Sequence, residues 1–188
     1  MRYVLLETER DFYEHYGKNA PAAIEAWAGN LATYERSAQT ILVSTAAHDS
    51  AQELQNSLAH EGVGHSGINT FSPGEKRALL AAIIDAKDQP GQLASIHWPL
   101  VNSAYPAISL SERAEEVFCL LAESVARRRQ YHEAAFKYAW QRSVVARSEP
   151  LQTWGLAQIA EHVAHGLRQN TRRQQIFPLT DNDPGNGS

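Results

Sequence analysis

Hydrophobic and polar positions follow two patterns along the chain. Short runs rich in β-branched and aliphatic residues predict strands at RYVLLET, residues 2–8, and at QTILVST, residues 39–45. Longer segments place apolar residues every three or four positions, which is typical of amphipathic helices. The pattern therefore predicts an α+β domain that is mostly helical and contains a small sheet.

Several helix starts carry a serine followed three residues later by a glutamate, a pair that satisfies the free amides of the first turn. Such pairs predict helices that begin at Ser50, Ser72 and Ser109. A further helix is predicted over PAAIEAWAGN, residues 21–30, because proline suits the first turn and glycine the end of a helix.

The second half of the chain is predicted to contain two long helical segments. The first runs to about residue 146 with one kink or break, and the last helix covers residues 151–175. Residues 90–108 contain three prolines, which predict irregular or short extended structure. Residues 178–188 are polar and predicted to form a flexible tail, so that a single domain spans residues 1–177.

Composition narrows the possible classes of function. The 188 residues are 43% hydrophobic, enough for one core, and no apolar run approaches the roughly 18 residues of a membrane span. The first residues carry acids where a secretory signal would be apolar, so we expect a cytoplasmic protein. Cys119 is the single cysteine, which excludes an internal disulfide and a zinc site of several thiolates. A metal ion would therefore be held by histidines and carboxylates.

The segment HEGVGH, residues 60–65, places two histidines five positions apart. On a regular helix this spacing turns the second histidine by about 140° from the first, so the two cannot chelate one ion. A π-bulge adds one residue to the turn and brings both onto one face, and such bulges are frequent at functional sites. Gly62 and Gly64 would tolerate the distortion. We predict that the helix widens here so that His60 and His65 converge.

These residue types are those of a catalytic zinc site. Such a site uses three protein ligands and keeps one position for water. His60 and His65 would be two of the ligands, and Glu61 would be the catalytic residue that accepts a proton from the water that zinc activates. The alternative interpretation is that the histidines are ordinary polar residues near a helix end, with GVG as a C-terminal cap.

The motif resembles that of two known families. HEGVGH matches HExxGH, the zinc motif of the dipeptidyl peptidase III family. It is more similar to the motif of the zincin-like metallopeptidase domain of the large polyvalent proteins of phages and conjugative elements, where a glycine-containing stretch and an apolar residue follow, as in GHSGI here. The resemblance covers roughly residues 39–126. It implies a small sheet packed on the motif helix, a zinc ion (Zn2+) and hydrolysis of a protein or peptide substrate.

The resemblance also implies a third zinc ligand from a later helix. In both families this ligand is a glutamate, often in a Glu-Glu pair, and AEEVF contains such a pair. The dipeptidyl peptidase III pattern assigns the second glutamate, Glu116, and leaves Glu115 as the alternative. Leu120 stands where that pattern has an acid, so a second carboxylate near the ligands would come from Glu123 or Glu112.

A peptidase also needs a donor to the oxyanion that develops during hydrolysis. Tyr105, His97 and Arg113 are candidates because they lie near the site elements in sequence, and no spacing selects among them. The zincin resemblance further implies that residues 39–45 form the edge strand that pairs with an extended substrate.

Charge is distributed unevenly along the chain. Residues 1–123 carry 8 basic and 16 acidic side chains, whereas residues 124–175 carry 9 basic and 3 acidic ones. The basic segment 127–173 indicates either contact with nucleic acid or an acidic partner, or merely solvated helix faces. It supports an alternative function, a non-catalytic helical DNA- or protein-binding module with a structural or vestigial metal site. EHVAHG, residues 161–166, has a weaker metal-binding spacing that is more typical of surface histidines.

Overall fold

A three-stranded sheet lies in the N-terminal part of the chain. The computed structural model describes residues 2–89, 93–131 and 156–173. Its strands are β1 (Arg2–Leu5), β2 (Ala32–Glu35) and β3 (Thr40–Val43). β3 is the middle strand, parallel to β1 and antiparallel to β2, and all four of its residues are buried.

The sheet confirms two predicted strands and corrects one prediction. β1 and β3 lie within the runs 2–8 and 39–45. Because β3 is hydrogen-bonded on both sides, the interpretation of residues 39–45 as an edge strand was wrong. The edges of the sheet are β1 and β2. β2 was not predicted, since ATYE is only four residues long and shows no clear alternation of apolar and polar positions.

Two short helices pack on one face of the sheet. They are α1 (Glu9–Tyr16) and α2 (Ala20–Trp27). Phe12 from α1 and Ala20 from α2 join Leu6 and Leu42 in a small core that is separate from the main one. α2 ends as predicted, with Gly29 at a φ of 86°, a conformation that glycine adopts readily. α1, which has its own capping box, was not predicted.

A helical layer forms the rest of the described chain. Its segments are α3 (Ala51–Ala59), a π-helix that continues it (His60–Ser66), α4 (Pro73–Asp85), α5 (Leu93–Ala104), α6 (Leu110–Tyr131) and α7 (Leu156–Arg168). The main core includes the fully or almost fully buried side chains of Ile83, Trp98, Phe118, Leu121 and Val163. α6 lies at the centre of this layer, because it contacts the π-helix and the helices α3, α4, α5 and α7.

The three serine–glutamate pairs begin helices as predicted. The side chains of Ser50, Ser72 and Ser109 each accept a hydrogen bond from the amide three residues later. At Ser109 the carboxylate of Glu112 accepts the serine amide in return, at 2.8 Å. Glu112 is therefore part of a helix cap, which leaves Glu123 as the candidate for a second carboxylate at the site.

α5 corrects the prediction for residues 90–108, most of which are helical rather than irregular. Trp98 is 2% exposed, and its ring nitrogen donates to the Ile83 carbonyl at 3.2 Å. Pro99 lies inside the helix at an exposed position. A proline inside a helix costs about 3 kcal/mol. We infer that burial of the stripe around Trp98 offsets this cost.

The described chain ends with a turn that packs near the motif. α7 ends at Arg168 rather than at the predicted residue 175, and Asn170 has a φ of 53°. Arg172 then lies 4.2 Å from the centre of the Phe71 ring, and its Nε donates to Thr70 Oγ1 at 2.8 Å. This arginine of the basic segment therefore stabilises the fold.

Some predictions lie outside the described residues: the chain between α6 and α7, most of the basic segment 127–173, and the tail 178–188. The single domain over residues 1–177 stays a prediction. Within the described ranges, every helix is too short or too polar to cross a membrane.

Candidate metal centre

The HEGVGH motif lies on a π-helix. α3 is a regular α-helix to Ala59, and His60–Ser66 continue it with the wider turn. This confirms the predicted widening, which places residues five apart on one face. The ring centres of His60 and His65 are 5.2 Å apart, with their planes at 64°. The two histidines therefore converge.

The glycines of the motif act differently from the prediction. The glycines with positive φ among the described residues are Gly17 and Gly29, so Gly62 and Gly64 need no unusual dihedral. A Cβ on Gly64 would lie 2.4 Å from Cys119 Sγ and 2.8 Å from the Cys119 Cα. Gly64 thus allows α6 to approach the π-helix closely. Close packing, rather than backbone freedom, explains this glycine.

Glu116 of α6 lies between the two histidines. His60 Nε2 is 3.3 Å from Glu116 Oε2, and His65 Nε2 is 3.3 Å from Glu116 Oε1. The three side chains are largely buried, with exposed fractions of 18%, 21% and 15% for His60, His65 and Glu116. One carboxylate therefore faces the Nε2 atoms of both histidines.

The other ring nitrogens contact two further carboxylates of α6. His60 Nδ1 lies 2.8 Å from Glu123 Oε1, and His65 Nδ1 lies 3.1 Å from Glu115 Oε1. Histidines that bind metals commonly donate their second nitrogen in this way, which fixes the orientation of the ring. Glu123 thus has the position expected of the second carboxylate. Glu115, the alternative third ligand, lies behind His65 instead of between the histidines.

The carboxylates raise the pKa of both histidines. Burial would lower the pKa of His60, but hydrogen bonds with two glutamates raise it to about 9. Burial would also lower the pKa of His65, but its acidic neighbours, which include Glu115 and Glu116, raise it well above its usual range. Burial would raise the pKa of Glu116, but the two histidines lower it to about 2. Protons on the histidines thus balance the carboxylates in the metal-free site, and metal binding would release them.

Glu61 lies beside this cluster in different surroundings. It is 7% exposed, and burial raises its pKa although the two histidines act in the opposite direction. Its carboxylate accepts a hydrogen bond from the Tyr34 amide of β2. The Leu31 carbonyl accepts the Ser44 amide, and hydrogen-bonded pairs alternate along an antiparallel ladder. The Tyr34 amide therefore points away from β3, to the open edge of β2, which pairs with no strand of the described residues, and it contacts Glu61 there.

The three candidate oxyanion donors have different positions. Burial raises the pKa of Tyr105, and the charge of Glu116 raises it further, so this hydroxyl lies within electrostatic range of the site. Arg113 faces α5, where its Nη1 donates to Asn102 Oδ1 at 2.9 Å. His97 lies within α5 itself. Of the three, Tyr105 is thus the side chain with a described electrostatic link to the site.

Cys119 belongs to the site, which the sequence analysis missed. Its Sγ and a ring nitrogen of each of His60 and His65 lie within 4.8 Å of one another. Burial raises the pKa of its thiol to about 12, so the group is neutral near neutral pH. Cys119 follows Glu116 by three residues and precedes Glu123 by four, the spacing of one helix face. That spacing was the signal that could have found it.

Two other residues of the site were not predicted, and no sequence pattern comparable to that of Cys119 points to them. Tyr34 contributes a main-chain amide, which any residue could supply. Lys76 of α4 contacts Glu115, and nothing in its sequence surroundings distinguishes it from a solvated lysine. The histidines of EHVAHG lie on α7. They do not belong to the cluster of His60, His65 and Cys119, whose side chains could bind a metal ion.

The chain is similar to part of a much longer protein. Over 136 residues it is 41% identical to a protein named DNA primase TraC from Escherichia coli. The match covers 69% of this chain and 9% of that protein, so the chain spans less than a tenth of the relative's length. No family model matches the chain, and no solved structure matches it.

Proposed function

We propose that this chain is a zinc-dependent metallopeptidase domain of the zincin-like type. The observation that carries the proposal is the position of Glu116, whose two oxygens each lie 3.3 Å from the Nε2 atom of one motif histidine. Two imidazole nitrogens and one carboxylate are the protein donors of known catalytic zinc sites. The donor set therefore fits zinc, and the carboxylates at both Nδ1 atoms supply the outer contacts that such sites use.

In this proposal His60, His65 and Glu116 hold zinc, and Glu61 is the general base. Bound zinc supplies Lewis acidity, which brings the pKa of a water molecule near neutral. Glu61 is suited to take the proton of that water, because burial raises its pKa toward the working range of a base. The Tyr34 amide would orient the Glu61 carboxylate through the hydrogen bond that it donates.

The open edge of β2 is the proposed binding site for an extended peptide. The Tyr34 amide points to this edge and Glu61 lies against it, so a segment added to β2 would pass beside the catalytic carboxylate. Tyr105 is 42% exposed and is the proposed oxyanion donor. Its raised pKa keeps the proton that it would donate.

The similarity to a short part of a long protein supports a domain that is carried within larger polypeptides. The relative is named a DNA primase, and 9% of it is covered. The zincin-like domains of the large polyvalent proteins of phages and conjugative elements are also single segments of long chains. We therefore propose that the domain serves such a mobile element and cleaves host proteins or proteins of the element.

Metal analysis of the purified chain is the first test. We expect about one zinc ion per chain, lost in His60→Ala because that variant lacks one of three ligands. Mass spectrometry of an unfolded protein mixture should then show new peptide termini with the wild type and none with Glu61→Gln. A wild-type chain that binds no zinc would overturn the proposal.

A second candidate is a non-catalytic module that binds nucleic acid or a protein, with a structural metal ion. Cys119 favours it, because a fourth protein donor near the histidines would close the coordination of zinc. The name of the relative, a DNA primase, is the second observation in its favour. Cobalt(II) in place of zinc distinguishes the candidates, since a thiolate ligand adds a charge-transfer band that Cys119→Ser would remove. That band, together with salt-sensitive DNA binding and no cleavage, would support the module.

A further inference from the structure

A lysine of α4 lies behind His65. Glu115 Oε1 is 3.1 Å from His65 Nδ1, and Glu115 Oε2 is 2.8 Å from Lys76 Nζ. The Lys76 side chain is only 20% exposed. Burying an ammonium group is costly unless it is paired, and Glu115 is the carboxylate that pairs with Lys76.

A second contact of Lys76 leads to the main chain of the same histidine. Its Nζ donates to Asn69 Oδ1 at 3.1 Å, and Asn69 Nδ2 donates to the His65 carbonyl at 2.6 Å. Lys76 thus reaches the ring of His65 through Glu115 and its backbone through Asn69. These contacts join α4, α6 and the turn after the π-helix around one histidine.

Lys76 also gives Glu115 a charged partner, because its Nζ lies 2.8 Å from Glu115 Oε2 while Glu115 Oε1 faces His65 Nδ1. A carboxylate held in such an ion pair is ionised. An ionised carboxylate can only accept hydrogen bonds, which makes His65 Nδ1 the donor. The other nitrogen, Nε2, then faces Glu116. Which nitrogen His65 offers to a metal therefore depends on a charged and well-placed Glu115.

We propose that Lys76 is a positioning residue of the metal centre, which fixes the ring and the main chain of His65 through Glu115 and Asn69. The proposal rests on the metal-binding part of the proposed function and not on peptidase activity. It is selective for one histidine, because His60 has its own partner, Glu123, on Nδ1.

Nitrogen-15 NMR of the metal-free protein tests this positioning. The Nδ1–H protons of His60 and His65 should both exchange slowly in the wild type, because carboxylates hold them in largely buried sites. Lys76→Met should remove the slow His65 signal and keep that of His60, whereas Lys76→Arg should keep both. Arg77→Met, which removes an exposed charge from the next position of α4, is the matched control and should also keep both. A Lys76→Met protein that keeps the slow His65 signal would overturn the proposal.

Zinc affinity, measured by competition with a chelator, provides the second readout. Lys76→Met should weaken binding by about 10- to 100-fold, as is typical for outer partners of metal ligands, and Lys76→Arg should restore most of it. In a background with Glu115→Gln and Asn69→Ala, Lys76→Met should have no further effect. A further loss of about tenfold there would contradict the proposal, because Lys76 would then act by another route.

The two readouts separate the proposals. If the wild type binds no zinc but Lys76→Met alters the His65 signal alone, the proposed function fails, whereas the positioning of the His65 side chain by Lys76 stands. If zinc binds and Lys76→Met changes neither the His65 signal nor the zinc affinity, the positioning role is overturned and the metal-binding part of the proposed function stands. Lys76→Gln, which keeps a donor for Asn69 without the charge, replaces Lys76→Met if the latter does not fold, with the same selective loss at His65 expected.

Discussion

Glu61 and Glu116 are both largely buried glutamates of the candidate site, yet their surroundings give them opposite properties. Glu116 comes from α6 and contacts both histidines, which lower its pKa to about 2 although burial acts in the other direction. Glu61 lies at the edge of β2, where burial raises its pKa and the Tyr34 amide is its partner in the sheet. We call these surroundings the helix side and the sheet side of the site.

The difference follows from the partners that each carboxylate can reach. Ion pairs with two protonated imidazoles more than offset the burial of Glu116. The same histidines act on Glu61 only through their charge, without a hydrogen bond. Their charge and the hydrogen bond from one amide do not offset the rise in its pKa that burial causes. Carboxylates whose surroundings separate their pKa values commonly divide the work of a site. The helix side is suited to hold a cation, and the sheet side to accept a proton.

The largest expected effect separates the two sides by function. Glu61→Gln should slow peptide hydrolysis by about 10²- to 10⁴-fold and retain zinc, because an amide cannot accept the proton. Glu116→Gln should lose most of the bound zinc together with the activity, because a carboxylate ligand is removed. Zinc content and cleavage rate, measured on the same preparations, check both. Loss of zinc in Glu61→Gln would show that Glu61 is a ligand and that the two sides do not divide the work.

The two sides also differ in how far their geometry could be predicted from the sequence. The helix side was largely predictable, because its geometry follows from spacing. Two histidines five positions apart need a π-helix if they are to hold one ion, and the Glu-Glu pair shares a helix face with Glu123. The sheet side was not, since the partner of Glu61 is a main-chain amide in a strand of four residues. A backbone contact carries no residue type that a pattern could reveal.

Tertiary packing accounts for the other differences between the sequence predictions and the structure. Cys119 and Lys76 reach the histidines only because α6 and α4 pack closely on the π-helix, and the steric reason at Gly64 becomes visible only with α6 in place. The prolines of residues 90–108 suggested a break, but the helix forms because Trp98 is buried in the core. Each of these features depends on contacts between residues that are far apart in the sequence.

The second prediction concerns Tyr105, whose pKa responds to the charges of both Glu116 and Glu61. Tyr105→Phe should lower kcat by about 10²- to 10³-fold, with KM and zinc affinity little changed, because the hydroxyl would act only on the oxyanion. Steady-state kinetics with a peptide that the wild type cleaves measures the effect. Tyr13→Phe, a change at an exposed tyrosine of α1, is the control. An unchanged kcat would exclude Tyr105 as the donor.

The third prediction disturbs the helix side alone. Gly64→Ala should destabilise the fold by about 1–3 kcal/mol and weaken zinc binding, because the new Cβ would displace α6 at Cys119. Gly74→Ala is the matched control in α4, where a Cβ meets nothing within 4 Å, and should stabilise by up to about 1 kcal/mol. Urea unfolding measures both. Equal effects of the two changes would mean that α6 does not pack closely at Gly64.

The smallest expected effect is the pH dependence of stability in the metal-free protein. On the helix side, Glu116 has a folded pKa of about 2 against an ordinary 4.5, so its stabilisation is present above pH 4.5 and is lost as the pH falls toward 2. His60 has a folded pKa of about 9 against 6.5, so its stabilisation is present below pH 6.5 and is lost as the pH rises through 9. The contribution of these two groups should therefore be largest between pH 4.5 and 6.5.

The sheet side should act in the opposite sense. Because the pKa of Glu61 is raised in the folded state, its ionisation above the ordinary pKa of 4.5 destabilises the fold. At neutral pH without metal, Glu61→Gln should then raise the free energy of unfolding, whereas Glu116→Gln should lower it by about 1–3 kcal/mol through its unpaired partners. Urea titrations at several pH values measure whether each substitution raises or lowers the free energy of unfolding. If Glu61→Gln also destabilises at neutral pH, the Tyr34 amide and the histidines stabilise the Glu61 anion after all, and the sheet side loses its distinction as the place of a base.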